Sequence, residues 1–116
     1  MLASLLRGHR HERRAARWLR RRGLKILARN LRLGPDEIDL LAREGDVAVI
    51  VEVRQRTAGH AAADLSISAG KIHRLRRAAG RLRRDHRLDR AVAIRIDLVT
   101  IDGAGCIVHV RGALDR

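Results

Sequence analysis

Three charged side chains interrupt the most apolar part of this chain, and their types limit the chemistry open to it. In EIDLLAREGDVAVIVEVRQR, residues 37–56, Asp39 stands inside a first apolar run, and Glu52 and Arg54 close a second. Read as strands, these runs alternate their side chains between two faces. Glu52 and Arg54 then point one way, and Val51 and Val53 the other. Charges left unpaired in a half-buried sheet are costly. Two carboxylates and a guanidinium meeting on neighbouring strands therefore either neutralise one another or hold a metal ion.

The elements that must position them follow from local pattern. Ile38, Leu40 and Leu41 form a short strand, Glu44-Gly45-Asp46 breaks it, and Val47–Val53 forms the next. Upstream, residues 4–22 carry Ala15, Ala16, Trp18 and Leu19 at helical spacing, with Gly23 as a stop and Arg20, Arg21 and Arg22 in the last turn. On this helix Glu12 reads as a surface acid paired with arginines. Leu24–Leu33 is predicted as a first strand at a sheet edge, turning at Gly34-Pro35. Thr57–Gly70 is a long Ala-, Gly- and Ser-rich connection. Ser68 is a fitting N-cap for a second helix running to about Asp85, with Ile72, Leu75, Ala78, Ala79 and Leu82 on one face. Its other face carries Lys71, Arg74, Arg76, Arg77, Arg81, Arg83 and Arg84. Ala91–Ile101 and Cys106–Val110 complete the order as strands about Gly103-Ala104-Gly105. The expected architecture is α/β: one domain over residues 1–116, a mixed central sheet flanked by helices, in α-β-β-β-α-β-β order.

Composition narrows the partners. The 116 residues contain 26 Lys and Arg against 13 Asp and Glu, a net charge of +13, so the surface field favours polyanions, nucleic acid above all. Trp18 is the one aromatic residue, which argues against a base-stacking platform and for contact with a phosphate backbone. Arg56, Lys71, Arg74, Arg77 and Arg81 are the expected phosphate contacts. One cysteine, Cys106, excludes an intrachain disulfide, and no stretch approaches membrane-spanning length. A cytoplasmic, soluble protein is expected. Other chemistries fall away. Gly70-Lys71 lacks the rest of a P-loop, the histidines do not fall at zinc-finger spacing, and no Ser or Cys sits in a nucleophile elbow.

The segments Glu37-Ile38-Asp39-Leu40-Leu41, Val51-Glu52-Val53-Arg54-Gln55-Arg56, Lys71 opening a helix and Arg95-Ile96-Asp97-Leu98-Val99 occur in one order. Together with Glu12-x-x-Ala15-x-x-x-Leu19 and Asn30, they resemble the bacterial YraN-like family from about Gly8 to Leu114. That family is similar in fold to the restriction-endonuclease-like superfamily, which includes archaeal Holliday-junction resolvases and the PD–(D/E)xK nucleases. The resemblance implies that Asp39, Glu52 and Glu12 ligate Mg²⁺ or Mn²⁺. It places Asp39, Glu52 and Arg54 in the catalytic set, with Arg54 where a catalytic Lys usually stands. An arginine stays protonated and can clamp a phosphate, but it is a poor base. Lys71 is expected at a helix start facing solvent or phosphate, the alternative being that it places an ammonium in the site. Asp36 and His11 stand where relatives carry glycine, adding side chains near the site. Resolvase-like nucleases commonly act as dimers, so the implied partners are DNA and a second copy of the chain. Three readings follow: a metal-dependent nuclease on branched or structured DNA, a nucleic-acid-binding protein without strong cleavage, and a structural protein with a buried ion-pair cluster.

Overall fold

A computed structural model describes residues 2–56, 67–85 and 93–114, with side chains from residue 10 onward. The elements are α1 (Leu2–Arg21), β1 (Lys25–Leu33), β2 (Asp36–Glu44), β3 (Val47–Arg56), α2 (Ala69–Arg84), β4 (Ala93–Asp102) and β5 (Ile107–Val110). This is the α-β-β-β-α-β-β order expected from the sequence. Most of the Thr57–Gly70 connection, and Ala91 at the expected start of β4, lie outside the described residues.

The five strands lie in one sheet in chain order, β1-β2-β3-β4-β5, with β1 at an edge. All pairs are antiparallel except β3 with β4, which run parallel through the crossover that contains α2. The two helices cover opposite faces. On the α1 side, Ala15, Ala16 and Leu19 pack with Leu40, Ala42, Val49, Val51, Val99 and Ile101. On the α2 side, Leu75, Ala78 and Leu82 pack with Leu33, Ile38, Leu41 and Ile50. Strands β2 and β3 are thus buried on both faces, which is why their apolar residues run consecutively instead of alternating.

Local chemistry fixes the ends of these elements. The Ser68 hydroxyl accepts the Lys71 N–H at 3.2 Å and caps α2, as its sequence position predicts. In β1 the pairing slips between Ile26 and Ala28, leaving Leu27 as an extra residue that is 43% exposed. The Asp102 carboxylate accepts the N–H groups of Ala104 and Cys106 and closes the β4–β5 turn. Gly34, at φ 62°, lies beneath the Arg81 guanidinium, where a Cβ would approach Nη1 to 2.6 Å. That close approach ties the β1–β2 turn to α2. No helix among the described residues is long and apolar enough to cross a membrane.

Candidate functional site

The site begins where β2 and β3 part. Their ladder pairs Leu40–Glu44 with Val47–Val51. Beyond it, the Asp39 carboxylate accepts the Val53 N–H through Oδ2 at 2.8 Å, so a side chain takes over from the backbone. This bond fixes the orientation of Asp39. Glu52 follows Val51 on β3 and shares the α2 face with Ile50. It is 8% exposed and within hydrogen-bonding reach of Asp39. Lys71, in the first turn of α2, extends its ammonium to 3.1 Å from Glu52 Oε1. The positive end of the α2 dipole lies on the same side.

Electrostatics sets this pair apart. Burial pushes the Glu52 carboxyl up to about 7, and the neighbouring Asp39 charge adds to that rise. Lys71 and Arg54 offset it only in part. Burial also raises Asp39, against the opposing pull of the Val53 N–H. Two carboxyls that resist ionising together are what a hard divalent cation would relieve. Mg²⁺ commonly binds through one or two carboxylates and completes its shell with water and phosphate oxygens. Asp39 and Glu52 therefore fit such an ion as a two-carboxylate arm.

Two of the three expected ligands come together, and the third does not join them. Among the described residues no group of three His, Cys, Asp or Glu side chains gathers closely enough to hold a metal. Glu12 sits on α1, across the sheet from α2, and lines a 370 Å³ cavity with Arg13, Arg29 and Asn30. Asn30 adopts φ 51°, a left-handed conformation that Asn tolerates. In the β1–β2 register it falls opposite Asp39, between the pairs Arg29–Leu40 and Leu31–Ile38.

The expected cations are also redistributed. Lys71 does not simply face solvent: it turns into the acid pair. The reason is tertiary, since the first turn of α2 lies beside the start of β2, with Lys71 facing a cavity shared with Asp36, Glu37 and Ile38. Arg54 stands close enough to Glu52 to lower its pKa. Arg77 holds Asp36 with two bonds, of 2.7 and 2.8 Å, and draws its carboxyl below the ordinary range. Arg56 is buried at 8% exposure, and Arg81 lies over Gly34. Arg74 is exposed and shares a 180 Å³ cavity with Lys71, Asp36 and Glu37.

The sequence pointed to no role for a second cluster, centred on Asp97 in the middle of β4. Asp97 is fully buried. It accepts two bonds from Arg95, one from the Gly112 N–H at 2.9 Å, and meets His109 Nε2 at 2.8 Å. Glu44 joins Arg95 at 3.1 Å and also pairs with Arg111. The Trp18 ring meets His109 edge-on and carries Arg22 over its face at 4.3 Å. The signal was present in Arg95-x-Asp97, two charges on one face of an otherwise apolar strand.

Fold and site together define an α/β domain, a five-stranded mixed sheet between two helices, with an acid pair where β2 and β3 part. Residues 11–101 match the model of the uncharacterised protein family UPF0102, and the chain belongs to that family. A UPF0102 protein from Alkalilimnicola ehrlichii is 47% identical, over 83% of this chain and 77% of its own length. A second, from Arthrobacter sp., is 40% identical over 97% of this chain and 98% of its own. A third, from Beutenbergia cavernae, is 39% identical over 87% and 89%.

Proposed function

We propose that this protein binds nucleic acid and hydrolyses phosphodiester bonds of structured or branched DNA, using Mg²⁺ or Mn²⁺ at Asp39 and Glu52. The observation that carries the reading is the Asp39–Glu52 pair itself: two adjacent carboxyls, one buried and one partly buried, whose pKa values are both raised. Such perturbed acids cluster at functional sites. A bound divalent ion supplies Lewis-acid stabilisation of phosphoryl charge and an acidified water. The chain's own residues supply the remainder. Asp39 is held in place by the Val53 N–H. Glu52, whose carboxyl burial and the Asp39 charge push up, would supply the second carboxylate and release its proton when the ion binds. Lys71 is about a third exposed on its side chain and can turn its ammonium from Glu52 to a phosphate oxygen. Arg54 adds a permanent positive charge suited to clamping phosphate. A second reading, binding without strong cleavage, rests on Arg54 standing where a lysine is usual.

The test is incubation with four-way-junction, flapped and single-stranded DNA in Mg²⁺ or Mn²⁺. Wild type should cleave at least one substrate, and Asp39→Asn and Glu52→Gln should abolish cleavage while retaining binding. Mn²⁺ should raise the melting temperature of wild type and not of either variant. Cleavage that survives both substitutions would end the nuclease reading. Binding without cleavage by wild type would establish the second.

A further inference from the structure

The basic residues of α2 were the natural candidates for a polyanion surface, yet the structure ties three of them down. Lys71 meets Glu52, Arg77 meets Asp36, and Arg81 covers Gly34. On α1 the division is different. Arg14 reaches the Gly105 carbonyl and Arg22 caps Trp18, and both belong to the packing of the domain. Arg10, Arg13, Arg17 and Arg20 lie three or four residues apart, along one side of the helix, and all four are exposed. With Ala16, and with the exposed Arg29 of β1, they line a groove of 270 Å³. Among the described residues, the lining holds five guanidinium groups and no acid.

We infer that the α1–β1 groove, lined by Arg10, Arg13, Arg17, Arg20 and Arg29, binds the phosphate backbone of nucleic acid. This rests on the nucleic-acid reading above and adds the surface that carries it. Three observations favour a nucleic-acid backbone as the occupant. The first is charge complementarity along a line. From Arg10 to Arg20 the helix rises roughly 15 Å at 1.5 Å per residue, long enough to follow several phosphates at roughly 3.4 Å of axis per nucleotide in one strand. The second is the absence of an apolar face. Among the described residues Ala16 alone is apolar in the groove, so they offer no large hydrophobic side chain for insertion into a lipid surface. The third is direction. Arg13 and Arg29 also line the neighbouring cavity with Glu12 and Asn30, and Asn30 falls opposite Asp39 in the sheet register. A backbone laid in the groove thereby continues along the α1 side of β1 to a point level with Asp39 in the register. Trp18 is occupied by Arg22 and His109, so contact is with phosphates and carries no sequence preference.

The test compares two triple variants that remove equal charge. Arg13→Gln/Arg17→Gln/Arg20→Gln removes three of the five groove arginines, whereas Arg32→Gln/Arg76→Gln/Arg84→Gln removes exposed arginines outside it. Binding to a labelled duplex and a labelled four-way junction is followed by fluorescence anisotropy between ~50 and ~200 mM salt. The groove variant should bind on the order of 10- to 100-fold more weakly, and its log K against log salt should flatten by about 2 to 3. The outside variant should change little. Arg13→Lys/Arg17→Lys/Arg20→Lys should hold most of the affinity, and all three should melt near wild type. Equal losses in the two Gln variants would overturn the groove and leave nucleic-acid binding standing. No wild-type binding at the lowest salt would overturn both. Loss of binding to phosphatidylserine vesicles, with DNA binding intact, would assign the groove to membranes and overturn the inference.

Discussion

Glu52 and Asp97 are buried acids on neighbouring strands of one sheet, and the fold treats them in opposite ways. For each, burial alone favours the neutral form. At Asp97 that push is outweighed by His109, by the Arg95 fork and by the Gly112 N–H, which together hold the carboxyl at about 2. At Glu52 the nearest group besides Lys71 is a second carboxyl, and the pKa rises to about 7. Asp97 has its hydrogen-bonding capacity filled by the chain's own groups. Glu52 and Asp39 have a deficit of positive charge that Lys71 meets only partly. Burial does not distinguish a structural acid from a functional one here. The number and sign of the partners does.

The largest expected effect is at the satisfied acid. Asp97→Asn leaves Arg95 and His109 facing an amide and should lower the unfolding free energy by about 3–5 kcal/mol, the usual consequence of breaking a buried pair from one side. Glu52→Gln removes one of two like charges and should change stability by less than about 1 kcal/mol at neutral pH. Urea denaturation of the two variants beside wild type makes the measurement. Equal losses would mean that both clusters are structural, which would return Asp39, Glu52 and Lys71 to an ion-pair network.

The next effect is in pH dependence, and the two acids have opposite signs. The Glu52 carboxyl binds its proton more tightly folded than unfolded. Its contribution is fully present below about pH 4.5 and is lost as pH rises through about 7. A tenfold tighter hold on a proton is worth about 1.36 kcal/mol, so the rise from 4.5 to about 7 sets an upper bound of about 3 kcal/mol. Asp97 is depressed, so its contribution is present above pH 3.8 and lost as pH falls through about 2. The two overlap fully only between pH 3.8 and about 4.5. Because histidines titrate in the same range, the diagnostic quantity is the difference between wild type and Glu52→Gln. That difference should change by up to about 3 kcal/mol between about pH 4.5 and 8. A difference that stays flat across this range would show that Glu52 titrates normally.

How legible all this was in the sequence depends on which contacts are local. The strands, the cap at Ser68 and the element order follow from period, turn residues and capping, all of which act over a few residues. Asp39 and Glu52 could be singled out because each stands alone in an apolar run. The partners could not. Lys71 lies 19 residues beyond Glu52, and whether it meets solvent or acid depends on where the first turn of α2 docks on the sheet. Arg77 reads as one more member of a basic stripe, yet it is held by Asp36, 41 residues earlier. His109 reaches Asp97 because β5 folds back in register beside β4. Glu12 shows the converse. Its match to a family pattern suggested three acids around one ion, whereas α1 delivers it to the other face of the sheet, beside Asn30.

The smallest effect on stability, and the sharpest on the comparison, is expected from Lys71→Met. Its ammonium is 32% exposed on the side chain, so its pair with Glu52 contributes at most about 1 kcal/mol, and unfolding should change by no more than that. The titration of Glu52 should change clearly. Lys71 contributes both charge and a hydrogen bond toward lowering that pKa, and Arg54 contributes only charge. Removing Lys71 leaves burial and Asp39 less opposed, so the midpoint should move further up from about 7. Carbon-13 NMR of the Glu52 carboxyl reads the midpoint directly, and Arg54→Met serves as the parallel variant. If Lys71→Met leaves the midpoint in place while Arg54→Met raises it, then Arg54, on the strand itself, is the cation that governs the acid pair. The α2 helix would then cover the site without tuning it.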